Sequence, residues 1–276
     1  MHAIFSILLL SALLFLSACG GRSVRTRVLV AGSGGDTVTS VPAPLPVADV
    51  PVPADIDSNF NDFVYLFATS RSFRGERTAS PLPVETPAGS RALSSSAPPS
   101  FPTDIVSSTF LSCFSSSGEV KRTLSAPLTK VDISWIDARH DSVVTHHFAR
   151  VESRWTLSGI TLSRLTLLPE SSFLYFFHLF ATDSTFRFRH ITSTLSFSMP
   201  DPTGSSSGID GYISRAQWDT FSPVLPDSTF YYIDYGQQLL PDGERVLAFL
   251  TIATGDITLL YFTKTVHSWM LYRFEG

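Results

Sequence analysis

Residues 172–180 read SFLYFFHLF, with an apolar side chain at nearly every position. An apolar run this short fits a strand that is covered on both faces. The chain around it reads the same way. Downstream, Phe186 and Phe188 oppose Arg187 and Arg189, and a strand continues to about Met199. Upstream, Val131, Ile133 and Trp135 alternate with Asp132 and Ser134. From 143 to 157 the odd positions Val143, Ala149, Val151, Trp155 and Leu157 form an inward face. The even positions His146, Arg150, Glu152 and Arg154 form an outward one. Ser158-Gly159 fits a hairpin turn before a return strand that stops at Pro169. Four more strand candidates, 229–235, 244–253, 256–263 and 266–274, close the chain, with a tight turn at Gly255-Asp256. After the first twenty residues no helical stripe exceeds two turns, and the strands show no exact repeat period. The fold expected is therefore all-β, an antiparallel sandwich or partly open barrel. Polar faces and proline-rich interruptions fit an outer-membrane barrel poorly.

Two segments lack this texture. Residues 20–58 hold Gly32-Ser33-Gly34-Gly35 and then Pro42, Pro44, Pro46, Pro51 and Pro53, which favour an extended tether. The glycine cluster lacks the Lys and following helix of a phosphate loop. Residues 80–102 combine six prolines' worth of interruption, from Pro81 to Pro102, with many serines, and read as a long loop. Between these segments Phe60, Phe63, Tyr65 and Phe67 open the core.

The start of the chain, MHAIFSILLLSALLFLSACG, has an apolar run from Ala3 to Leu16, then Leu16-Ser17-Ala18-Cys19 and Gly20. The run suits a signal peptide and is short for a membrane span. These residues resemble the signal and lipobox of bacterial lipoproteins. The resemblance implies cleavage before Cys19, lipidation of Cys19 and a lipid-anchored place in the cell envelope. Gly20 and Gly21 imply the outer membrane in a diderm host. The organisation expected is a signal over 1–18, a lipidated tether over 19–58 and a single β-rich domain over 59–276.

Composition narrows the function. Net charge is −4, and Lys and Arg form no stripe, which argues against nucleic acid as a partner. With Cys19 acylated, Cys113 has no disulfide partner; its setting in Phe110-Leu111-Ser112-Cys113-Phe114 reads as a buried small hydrophobe. Asp132, Asp137, His140, Asp141, His146 and His147 form the densest ionisable patch. His146 and His147 point to opposite faces of one strand, His146 to the polar one, which keeps them out of one metal shell. No recurrent metal motif accompanies them. Gly204-Ser205-Ser206-Ser207-Gly208 formally matches a nucleophile elbow, but loop residues flank it on both sides. Asp183, Asp210 and Asp234 are not paired by spacing. The aromatic clusters at 173–180, at Tyr231, Tyr232 and Tyr235, and at Trp269, Tyr272 and Phe274 suit core packing first and ligand contact second.

No catalytic residue, metal or cofactor is therefore assigned. The role expected is that of a membrane-tethered envelope lipoprotein with a non-catalytic binding or structural function. Its partners would be the bilayer, through acylated Cys19, and an envelope protein or glycan. The alternatives are a carrier of lipid or another small hydrophobic ligand, and an envelope hydrolase.

Overall fold

The computed structural model describes residues 52–94, 99–201, 208–240, 243–252 and 254–276. Cys19, Gly32–Gly35 and Ser206 lie outside them. In chain order the elements are α1 (Phe60–Thr69), α2 (Arg71–Glu76), β1 (Leu82–Thr86), β2 (Gly89–Leu93), β3 (Thr109–Phe114), α3 (Ser117–Ser125), β4 (Lys130–Asp137), β5 (Ser142–Val151) and β6 (Arg154–Ser163). They continue with α4 (Ser171–Thr182), α5 (Ser184–Arg189), β7 (Ile191–Met199), β8 (Ile209–Ser214), α6 (Trp218–Phe221), β9 (Thr229–Asp234), β10 (Glu244–Thr251), β11 (Ile257–Lys264) and β12 (Trp269–Glu275). The fold is mixed α/β, which corrects the all-β sandwich or barrel expected from alternation.

The correction begins at residues 172–180, which are helical. Phe173, Phe176, Phe177 and Phe180 fall at i, i+3, i+4 and i+7, and all four are buried. Tyr175, His178 and Leu179 lie on the other side, and Leu179 is exposed. The run looks two-sided only because Tyr, His and Leu on the outward face are themselves bulky. The segment read as a strand at 186–189 is α5, whose first amides are capped by Asp183: its Oδ1 accepts from Thr185 N at 2.8 Å and Phe186 N at 2.9 Å. Within the segment read as a long loop, residues 82–93 form the hairpin β1–β2.

The strands form one twelve-stranded sheet in the order β2-β1-β6-β5-β4-β9-β3-β10-β11-β12-β7-β8. Read from its two ends, this order shows that the chain repeats itself. Apart from α3, between β3 and β4, and α6, between β8 and β9, the series α1-α2-β1-β2-β3-β4-β5-β6 recurs as α4-α5-β7-β8-β9-β10-β11-β12. Each half pairs its first strand parallel to its last, β1 with β6 and β7 with β12. The halves also exchange strands at the centre: β3 pairs with β10 of the other half, β9 pairs with β4, and β3 and β9 meet in parallel.

A two-fold axis running along the central strands relates halves whose helices lie on opposite faces of the sheet. Side-chain alternation bears this out. Phe110, Phe114, Val246 and Ala248 join the core beneath α1. Their neighbours Leu111, Cys113, Leu247 and Phe249 join the core beneath α4.

The repetition reaches individual contacts. Phe67-Ala68-Thr69 and Phe73-Arg74 recur as Phe180-Ala181-Thr182 and Phe186-Arg187. Arg74 Nη1 donates to the carbonyls of Phe67 and Ala68 at 2.9 and 3.0 Å. Arg187 Nη1 donates to those of Phe180 and Ala181 at 3.0 and 2.9 Å. Phe60 meets Phe148 at 5.7 Å and Trp155 at 4.7 Å, as Phe173 meets Phe262 at 5.4 Å and Trp269 at 5.2 Å.

Strand β5 also differs from its expected facing. Its even residues, including His146, Phe148 and Arg150, face the α1 side, while Thr145 and His147 face the other. Phe148 sets the polarity, because its large ring is buried against Phe60, Phe63 and Phe67. The hairpin turn lies at Glu152-Ser153, both with positive φ (50° and 66°), rather than at Ser158-Gly159. Ser158 is instead the extra residue of a bulge opposite His147 and Phe148.

Candidate functional site

A cavity of about 560 Å³ lies on the α1 face of the sheet, walled by both halves. Its walls are the start of α1 (Asn59, Phe60), the connection from α3 to β4 (Leu128), the end of the β5–β6 hairpin (Arg150, Trp155), Tyr235 beyond β9, and the β10–β11 turn (Leu250, Asp256). Local interactions hold each wall in place. Asn59 caps α1 by accepting from Asn61 N at 2.9 Å. Asp57 ties the helix entrance to the hairpin: Oδ1 and Oδ2 accept from Arg77 Nη1 and Nη2 at 2.8 and 2.9 Å, and Oδ1 accepts from Trp155 N at 2.8 Å. Burial raises the Asp57 carboxyl, but the Arg77 and Trp155 hydrogen bonds outweigh it and hold the group below its ordinary value. The Asp57 carbonyl accepts from Arg150 Nη2, which places the guanidinium 4.9 Å above the Trp155 ring.

The electrostatics of this cavity are unbalanced. Arg150 makes no ion pair with a carboxylate among the described residues, and its buried Nε has no hydrogen-bond partner there. Trp155 is fully buried, and its Nε1 also lacks a partner among the described residues. Burial alone pushes the Tyr235 phenol well above its ordinary value. The cavity thus combines aromatic and aliphatic walls with polar side chains, among them Asn59, Arg150 and Asp256.

On the opposite face, the structure brings together two members of the ionisable patch. His147 Nδ1 lies 2.9 Å from Asp132 Oδ1, and Nε2 lies 2.8 Å from Thr161 Oγ1. The hydrogen bond to Asp132 raises His147 above its ordinary value, against its partial burial. His147 and Thr161 border a shallow depression of about 280 Å³ with Glu85 and Gly159, and the polar atoms of the three side chains named here are mutually satisfied.

The other patch members are separate. His146 is buried against Phe101 on the α1 face, where desolvation lowers it to about 4. Asp137 binds His140 at 2.7 Å within a turn. Asp141 accepts from Thr166 N, Arg164 and Tyr175, and these bonds hold its carboxyl far below the usual range. Among the described residues no group of three or more His, Cys, Asp or Glu side chains is placed to hold a metal ion.

Of the remaining candidates, Cys113 is fully buried, and burial pushes its thiol far up. Asp183 caps α5, Asp210 is exposed on β8, and Asp234 is paired in register with Asp132. The aromatic cluster at 173–180 is core, as are Trp269 and Phe274, whereas Tyr235 lines the cavity. Sequence reasoning did not find Asn59, Phe60, Arg150 or Trp155 as a group. The one local signal is the spacing of Arg150 and Trp155, which pair across the hairpin.

Residues 43–276 match a family model described as a domain of unknown function, DUF4348. The chain belongs to this family. The match gives a family to the region after the signal, which the lipobox resemblance over residues 1–20 left unassigned. No protein of curated function matches the chain. Among solved structures, it is similar to the crystal structure of an NTF2-like protein from Bacteroides fragilis NCTC 9343. Identity is 29%, the TM-score is 0.72, and the likeness covers 82% of this chain and 98% of the other.

This likeness also corrects the expected envelope role. The DUF4348 domain is a helix-covered sheet of NTF2-like kind, and neither its fold nor its solved relative supports a lipid-anchored outer-membrane protein partnered by the bilayer or an envelope component. Among the described residues, no helix is long and apolar enough to cross a membrane.

Proposed function

We propose that this DUF4348 chain is a non-catalytic binding protein that takes a small, largely apolar organic molecule into the cavity beside α1. The observation that carries the reading is the cavity itself. Its volume of about 560 Å³ falls in the range of small-molecule sites, and Phe60, Leu128, Trp155, Tyr235 and Leu250 supply an apolar lining. Polar side chains, among them Asn59, Asn61, Arg150 and Asp256, line the rest of it and suit orientation of a ligand. The Asp132–His147–Thr161 array supports a hydrolytic reading less well, because His147 and Thr161 border only a shallow depression on an open strand face and Asp132 lies outside it.

Titrating the purified protein with C8 to C12 aliphatic compounds, followed by tryptophan fluorescence and calorimetry, tests the proposal. Saturable one-to-one binding that Leu250→Trp blocks is the expected result. Absence of binding across the series, or binding that Leu250→Trp leaves intact, overturns it.

A further inference from the structure

One hydroxyl in this cavity points to the class of its ligand. Tyr235 lines the cavity and is only 9% exposed. Its backbone N donates to Gln237 Oε1 at 2.8 Å, which fixes the residue just past β9. Its Oη, by contrast, has no hydrogen-bond partner among the described residues, and burial alone governs its titration. Other tyrosines here give their hydroxyls to carboxylates: Tyr175 donates to Asp141 at 2.7 Å and Tyr231 to Asp104 at 3.0 Å. Unlike Trp155 Nε1 or Tyr261 Oη, the Tyr235 hydroxyl is not sealed from solvent. With nine-tenths of the residue buried, the part left accessible is the part that lines the cavity. A donor placed so deep and left unpaired gains from a ligand oxygen that reaches it.

The surroundings select that oxygen. Burial keeps the phenol protonated at neutral pH, so it donates. A carbonyl accepts that hydrogen bond and brings no proton of its own. An alcohol brings a hydroxyl proton that needs a second acceptor inside the site. Charged headgroups fare worse. Arg150 and Asp256 both line the cavity, so an amine meets the arginine and an acid meets the aspartate. Phe60, Leu128 and Leu250 cover the rest of an apolar molecule.

Resting on the binding role proposed above, we infer that Tyr235 sets the specificity of the cavity. The ligand is a neutral, apolar carbonyl compound whose oxygen accepts from the Tyr235 hydroxyl.

The test titrates the full chain at pH 7 with 2-nonanone, 2-nonanol, 1-nonene, nonanoate and nonylamine, below their solubility limits, by tryptophan fluorescence. Tyr235→Phe keeps the ring and removes only the hydroxyl. It is expected to weaken 2-nonanone about five- to ten-fold and to leave 1-nonene within about two-fold. In the wild type, the ketone is expected to bind more tightly than the alcohol, the acid or the amine. Infrared spectroscopy reads the same contact directly. The carbonyl stretch of bound 2-nonanone is expected below its position in hexane, and to move back toward it in Tyr235→Phe. Should the variant fail to fold, the wild-type stretch carries the test.

Equal loss for ketone and alkene marks Tyr235 as packing alone; it overturns this inference and leaves the binding role standing. An unshifted carbonyl stretch in the wild type does the same. Tighter binding of the alcohol, the acid or the amine than of the ketone overturns the ligand class. Loss of ketone affinity in Asn61→Ala but not in Tyr235→Phe places the carbonyl at the start of α1 and overturns the assignment. Failure of every compound to bind overturns both this inference and the binding role.

Discussion

The two halves of this protein share a scaffold and differ in what they enclose. In both, a helix lays three phenylalanines against one phenylalanine of the penultimate strand, Phe148 or Phe262, beside the tryptophan that follows it across the hairpin, Trp155 or Trp269. In both, a cation lies over that tryptophan, Arg150 at 4.9 Å and Lys264 at 5.7 Å. The second residue of β4 is Val131, whereas the second residue of β10 is Arg245.

Arg245 is buried, sits 5.3 Å above Trp269, and donates to the carbonyls of Glu244 and Leu240. The first half has a short apolar side chain there and an open cavity beside its tryptophan. The aromatic frame that stabilises each half is thus common to both. The space around the frame was left free to diverge, because a side chain at a cavity wall contributes less packing than one at its centre.

The largest effects are expected where the halves agree. Phe148→Ala and Phe262→Ala each remove the ring on which three phenylalanines of the covering helix converge. Each is expected to cost about 3–5 kcal/mol in urea unfolding. A loss in one half that is several-fold larger than in the other breaks the equivalence.

The Asp57 clamp has no counterpart: His190 stands where Arg77 stands and bonds the carbonyl of Phe186. Asp57→Ala strands a buried guanidinium and is expected to cost about 3 kcal/mol. It is also expected to weaken ligand binding, since the Trp155 amide loses its carboxylate acceptor while the Arg150 contact to the Asp57 carbonyl remains. Unchanged affinity in a folded Asp57→Ala protein separates the clamp from the site.

A comparable effect depends on pH. His146 stands where the second half has buried Leu260. The unfolded histidine takes up a proton below its ordinary 6.5, but the folded one does so only near 4. Its contribution to stability is therefore complete above about pH 6.5, falls as pH drops, and levels off near pH 4. The loss amounts to about 3 kcal/mol over that window. His147 runs the other way: its raised value makes its contribution full below the ordinary histidine range and lost as pH rises through the raised value. The difference between wild type and His146→Leu isolates the first term, and a difference curve flat from pH 7 to 4 refutes it.

The smallest effect concerns the β5–β6 turn, where Glu152 and Ser153 both adopt positive φ, unlike the longer connection at 265–268. Glu152→Asn with Ser153→Gly is expected to raise stability by about 0.5–1 kcal/mol, measured by thermal unfolding.

Much of this fold was legible in the sequence, though not its class. Most strands after residue 103 follow alternation, and the β10–β11 turn falls near Gly255 as its composition suggests. The duplication was legible too, in Phe67-Ala68-Thr69 with Phe73-Arg74 and their echo at Phe180 to Arg187. The echo is faint because other paired positions, such as His146 and Leu260, differ in identity while keeping their burial. The helical nature of 172–180 was present in the i, i+3, i+4, i+7 spacing of its buried phenylalanines, but the bulky outward face masked it.

By itself, the sequence determined the alternation that makes strands, the capping residues that start helices, and the apolar side chains that must leave water. Those are local properties of spacing and chemistry. Tertiary structure alone decided which face of β5 is buried, which face of the sheet carries the cavity, and that Arg150, Trp155 and the start of α1 meet. The physical reason is that a strand's two faces are equivalent until something packs on one of them. Here the phenylalanines of α1 pack on Phe148, and that contact turns His146 and Arg150 inward with it.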